Sequence, residues 1–228
     1  VTGTTILNGQ ANTLSDVGVA GSVYITGNEV VTGTTVLTGK ANTVNDLGVG
    51  GNQYVTGTTT LTGKANTVND LGVGGNFYVT GKANTLSDVG IAGSVYITGN
   101  EVVTGTTTLT GKANTVNDLG VGGNIYVTGN KVITGTSTMV GKSNTTNDLG
   151  VGGNLYLTGK ANTLSDVGIA GSLYVTGNEV ITGTTVLTGK ANTVNDLGIG
   201  GNQYVTGTTT LTGKANTVND LGVGGSAY

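Results

Sequence analysis

The sequence predicts an all-β fold, a triangular β-solenoid rod built from six-residue edges, and three observations carry that expectation. Every sixth residue from Val1 to Val223 is Val, Ile, Leu, Met or Thr, and the frame is never lost over 228 residues. Gly accounts for 44 residues and aromatics for 4%, yet hydrophobic residues still make up 36% and are strictly periodic, a placement that disordered chains lack. The period is six, Gly does not recur every third residue and there is no Pro, so collagen is excluded. An unbroken short period means one structural unit stacked many times: a rod without a central core.

Within each hexad, counted from Ala11, the periodic aliphatic residue is the third. Positions one to three (VYI, EVV, QYV, TTL) carry β-branched and aromatic residues and read as a short strand with the third side chain turned inward. Position five is Gly in most hexads and otherwise Asn or Ser, as at Asn45 and Ser15. That restriction predicts a left-handed backbone conformation there. Position six is Asn, Thr, Lys, Asp, Ser or Gln, suited to an exposed corner. The density of Gly and Thr, together with the period, excludes helix. Glu29, Glu101, Glu179 and Lys131 all stand at position one. Strict burial of such charges is costly, so position one is expected near an edge or at a wet axis.

Hexads group into modules opened by ANTLSD, ANTVND or SNTTND, which begin at residues 11, 41, 65, 83, 113, 143, 161, 191 and 215. All spacings between openers are multiples of six, but several are not multiples of 18. Residues 161–222 closely repeat 11–72, which points to growth by duplication with length as the product. No linker or shift in composition divides the chain, so 1–228 is read as one continuous array, a segment of a longer shaft without caps.

Two architectures use six-residue edges. In a single-chain left-handed β-helix, three hexads make one coil and residue i lies beneath i+18; in an intertwined homotrimer, a triple-stranded β-helix, it lies next to about i+6 of a neighbouring chain. Eight Lys residues precede eight Asp residues by six positions: Lys40/Asp46, Lys64/Asp70, Lys82/Asp88, Lys112/Asp118, Lys142/Asp148, Lys160/Asp166, Lys190/Asp196 and Lys214/Asp220. Stacking at i+6 makes all of them inter-chain opposite-charge neighbours about 4.8 Å apart, each worth about 0.2–1 kcal/mol. Stacking at i+18 instead puts Asp70 on Asp88, Asp148 on Asp166, Lys64 on Lys82 and Lys142 on Lys160. At i+6 each Tyr also lies over a Gly, as at Gly72/Tyr78. Hexads with small residues at position one are the rule in single-chain helices, and Glu29, Gln53, Phe77, Glu101 and Lys131 depart from it. These features favour the homotrimer, with the single-chain helix as the alternative.

The chain contains no Cys, His, Trp, Pro or Arg, and its net charge is −3. Nucleic acid and anionic membrane both call for a basic surface, so neither is an expected partner. Without His or Cys, and with Asp and Lys recurring in identical contexts, no catalytic, cofactor or metal site is predicted. NDLGVGGN carries one Asp per module, too few carboxylates for calcium, and Asn and Asp serve there as turn formers. Thr-rich words such as TGTTTLTGK suggest a flat threonine ladder of the ice-binding kind, although Ala20, Val44 and Gly50 interrupt the fourth-position Thr run.

The words VTGTTTLTG, GGNxYVTG and GKANTxNDLG, found throughout the chain, resemble the shaft repeats of phage tail fibres and of fibre proteins of large DNA viruses. The resemblance implies a trimeric, protease-resistant shaft on a virion surface or outside the cell, carrying a receptor-binding tip at a distance. A cellular surface filament or adhesin stalk would use the same physics, and an ice- or mineral-binding surface is a third expectation from a different class.

Overall fold

The computed structural model describes all 228 residues. Thirty-seven strands of three residues each, from Thr5–Leu7 to Leu221–Val223, recur every six residues. They form three parallel sheets of 13, 12 and 12 strands. The first begins Thr5–Leu7, Val23–Ile25, Ala41–Thr43; the second Ala11–Thr13, Glu29–Val31; the third Val17–Val19, Thr35–Leu37. We refer to their outer sides as the first, second and third faces. Every pairing joins residue i to i+18, as in Val23↔Ala41 and Glu101↔Leu119. The chain therefore coils on itself, three hexads per coil, in the register of the single-chain alternative. At one strand spacing per coil the rod is about 60 Å long.

The strands alternate inward, outward, inward: Val23–Ile25, Glu29–Val31 and Phe77–Val79 are each buried, exposed, buried. This is the period-two consequence of the pleat, and it places position one as well as position three in the core. The expectation that position one lies at an edge or a wet axis is corrected accordingly. Phe77, Gln53 and Lys131 are as enclosed as the aliphatic residues. The position-three residues and the apolar position-one residues make a continuous core of 37 side chains from Leu47 to Val205, with six more between Val19 and Val55. Burial of each Val, Leu or Ile contributes about 1.5–3 kcal/mol.

The corners use glycine differently from the sequence expectation. No residue other than Gly has a positive φ, and only Gly3 and Gly9 do among the glycines. What restricts position five is space. A Cβ on Gly75 would stand 2.8 Å from the Gly57 carbonyl carbon of the coil below, and the Gly75 N–H donates to the Gly57 carbonyl at 3.0 Å. Asn69/Ser87 and Asn147/Ser165 are the positions where both stacked corners carry a side chain, because two openers there are 18 residues apart.

Candidate functional site

Four ionisable side chains lie in the interior. Glu29, Glu101 and Glu179 are 6%, 5% and 2% exposed, and Lys131 is fully enclosed. Glu29, Glu101 and Lys131 reach across the coil to partners twelve or fourteen residues on. The Thr43 hydroxyl donates to Glu29 Oε2 at 3.2 Å, and the Thr115 hydroxyl donates to Glu101 Oε2 at 3.1 Å. Gln53 accepts from Thr67 in the same way, at 3.3 Å. Glu179 stands in the same frame with Thr193, but its Oε2 and the Thr193 hydroxyl are both buried without a partner. The Lys131 ammonium donates to Ser143 Oγ at 3.0 Å and points at Met139 Sδ at 3.3 Å.

Burial sets the protonation of all four. It raises the Glu101 carboxyl to about 7, against the Thr115 hydrogen bond, and raises Glu179 to about 7. Burial likewise raises Glu29, opposed by its bond from Thr43. Desolvation lowers the Lys131 ammonium to about 7. A charged form without water around it is the costly form, so each group shifts toward neutrality. The sequence carried a signal for this arrangement. In residues 131–145, Ser137, Met139 and Ser143 replace the Thr107, Leu109 and Ala113 of residues 101–115. Those changes shorten, soften or polarise the inward positions that meet the one inward Lys.

At the corners, the position-six side chains extend the backbone ladders. Asp46 Oδ1 accepts the Lys64 N–H at 2.8 Å, Asp118 Oδ1 the Thr136 N–H at 2.8 Å, and Asn124 Oδ1 the Lys142 N–H at 2.8 Å. Where Asp lies over Asp, the lower carboxylate still accepts: Asp70 Oδ1 from Asp88 N–H at 3.2 Å, and Asp148 Oδ1 from Asp166 N–H at 3.3 Å. These charge-assisted bonds offset the like-charge stacking that the i+18 register imposes. Lys40 and Asp46, like the other seven Lys/Asp couples, occupy successive corners of the coil within the chain.

Outward positions two and four make the faces. Tyr54 lies over Gly72, its Cδ1 2.8 Å from where a Cβ would stand, so the Tyr-over-Gly contact exists at i+18. Elsewhere Tyr stacks on Tyr: Tyr78 on Tyr96 with ring centroids 5.0 Å apart, and Tyr156 on Tyr174 at 4.9 Å. Asn76 and Asn154 donate to the hydroxyls of Tyr78 and Tyr156. On the first face, Thr26, Val44, Thr62, Thr80, Thr98, Val116 and Thr134 stand exposed on seven successive coils. The interruptions at Ala20 and Gly50 fall on the other two faces.

No group of three or more His, Cys, Asp or Glu side chains comes together as a metal-ligand set. The chain matches no family model, no curated protein and no solved structure. The arrangement offers a continuous solenoid with regularly spaced side chains outside and, inside, three acids and one amine that burial shifts toward their neutral forms.

Proposed function

We propose that the chain is a structural shaft, part of a viral or phage attachment fibre that holds a binding tip away from its anchor on a virion surface. A cellular extracellular filament or adhesin stalk is the alternative within the same class. The observation that carries the reading is the continuity of three parallel sheets from one end of the array to the other without a break or an inserted loop. The repeat words shared with fibre shafts support it, and no enzymatic role is part of it. Deletion of residues 83–172, five whole coils, preserves the register and shortens the rod by about 24 Å. In the parent fibre we expect attachment to persist at shorter reach; loss of attachment by a truncated but folded rod would overturn the shaft reading.

The finer arrangement favoured by the charges, three intertwined chains, rests on the eight Lys–Asp pairs that i+6 stacking would align. Mass and length together decide it. One chain per coil gives a rod of about 60 Å and three intertwined chains give about 180 Å. A second function has an observation of its own, the seven-coil Thr/Val column of the first face, whose β-branched side chains repeat at about 4.8 Å as a surface for an ordered lattice such as ice. Thermal hysteresis in the purified protein, lost in Thr80→Lys, is the expected result for that reading; its absence at high concentration removes it.

A further inference from the structure

Openers 18 residues apart occur twice, at 65/83 and at 143/161, and each pair stacks the same residue types on the rod. One face carries two stacked glycines at position two: Gly72 and Gly90 on the third face, Gly150 and Gly168 on the first. The next face round the same coils carries two stacked tyrosines, Tyr78/Tyr96 on the first and Tyr156/Tyr174 on the second. The glycine pairs are recesses. A Cβ on Gly90, Gly150 or Gly168 would meet nothing within 4 Å, whereas Gly72 lies under the Tyr54 ring, so the first recess opens at Gly90 and the second at Gly150 and Gly168. Around Gly72 and Gly90 the open recess measures about 490 Å³, with Val36, Tyr54, Ala92 and Thr108 among the residues that line it. The tyrosine pairs are projections, with Tyr78 36% and Tyr156 38% exposed and Tyr96 and Tyr174 half-buried where they stack on them. At the second site recess and projection have the same height, one strand spacing between their two members.

We infer that these two features are the halves of one contact, and that the occupant of each glycine recess is the tyrosine pair of a second copy of this chain lying parallel to the first. The corners fix the polarity. Going round a coil, Asp70 and Asp88 stand just before the glycine edges, and Lys82 stands just after the tyrosine edge Phe77–Val79. When the tyrosine face of one rod meets the glycine face of a parallel neighbour, the corner that ends the first meets the corner that begins the second. Lys82 then lies against Asp70 and Asp88, and at the other site Lys160 lies against Asp148 and Asp166. Antiparallel rods bring Lys82 to the Asn76/Ser94 corner instead, without a charge partner. Parallel association is thus selected by charge and filled by aromatic area. The contact is heterologous, so each rod presents a free projection and a free recess and rods add side by side into a ring or an open bundle. The first face carries the projection of one site and the recess of the other, so a parallel neighbour against that face engages one site at a time.

This inference rests on the single-chain coil and not on what the shaft carries. The test is a complementation by sedimentation velocity over a concentration series. Gly90→Leu/Gly168→Leu fills a recess at each site, and Tyr96→Ala/Tyr174→Ala removes a projection at each. Wild type shows concentration-dependent association, each double variant alone associates about tenfold or more weakly, and an equimolar mixture recovers a one-to-one complex through the intact halves. Wild type that stays monomeric across the series, variants that associate like wild type, or a mixture that recovers nothing overturns the inference. If the leucine variant melts early, Lys82→Glu/Lys160→Glu reads the same contact from exposed corners, with loss of association expected and unchanged association contrary. A shaft that carries its tip yet never bundles sinks this contact alone; a bundle that forms after attachment has been traced elsewhere leaves it standing.

Discussion

Residues 101–115 and 131–145 follow one another along the rod and share a template, yet one sends a carboxyl into the core and the other an amine. Glu101 is met by the Thr115 hydroxyl, with Thr107, Leu109 and Ala113 on the intervening inward positions. Lys131 is met by Ser143 and Met139, with Ser137 between them, and Thr145, the counterpart of Thr115, is left with a buried hydroxyl and no partner. The acid takes a donor two places further along the far edge than the amine takes its acceptor. A longer cation thus needed a methyl less at 137, a polarisable thioether at 139 and an oxygen at 143. The difference teaches that the repeat tolerates an ionisable group inside when its own coil changes to receive it.

The largest effect comes from breaking that match. Glu101→Lys alone puts an amine opposite Ala113 and Leu109, and should destabilise the rod by about 3–5 kcal/mol, the range for an uncompensated buried charge. Adding Thr107→Ser, Leu109→Met and Ala113→Ser should restore at least about 1–2 kcal/mol. Denaturant midpoints of the single, triple and quadruple variants measure this. An additive result would mean that the three companions have nothing to do with the amine.

The second effect concerns pH. A carboxyl held up near 7 leaves the folded chain with more bound protons than the unfolded chain between pH 4.5 and about 7, so stability falls as pH rises through that window. An amine held down near 7 leaves the folded chain with fewer protons between about 7 and 10.5, so stability rises through that window. Together these groups place a minimum of stability near neutral pH. The intervals correspond to at most roughly 3 kcal/mol per Glu and roughly 5 kcal/mol for Lys131. Glu101→Gln/Glu179→Gln should flatten the acid side of the melting profile, and Lys131→Met the alkaline side. A wild-type profile with a maximum at neutral pH would contradict the buried placement of Glu101, Glu179 and Lys131.

The frame of six, the inward third position and the polar sixth were legible in the sequence because each position admits few residue types. Position one was not, because it holds Glu, Lys, Gln, Phe, Ala and Thr alike. Composition cannot show burial there. The pleat does, since the outward middle residue of a three-residue strand forces both its neighbours inward. Glycine at position five misled for a related reason. Close approach and a left-handed φ select the same residue, and the backbone distance, not the composition, tells them apart. The Lys/Asp spacing pointed to i+6 neighbours, whereas within the chain the Asp carboxylates take up a backbone role, accepting the N–H of the next coil, that no count of charges reveals.

The smallest expected effect sharpens the comparison among the acids themselves. Thr115→Val removes the hydroxyl that donates to Glu101 and leaves the acid without that donor, which should cost about 1–2 kcal/mol. Thr193→Val removes a hydroxyl that is already buried and unpartnered, as is the Glu179 oxygen fourteen residues before it, so its effect should be near zero or slightly stabilising. The two substitutions have the same chemistry, the same strand position and the same frame, and they differ only in whether the bond across the coil is made. Equal losses in denaturant midpoint would mean that Glu179 and Thr193 do pair in solution, and that the three acids are equivalent.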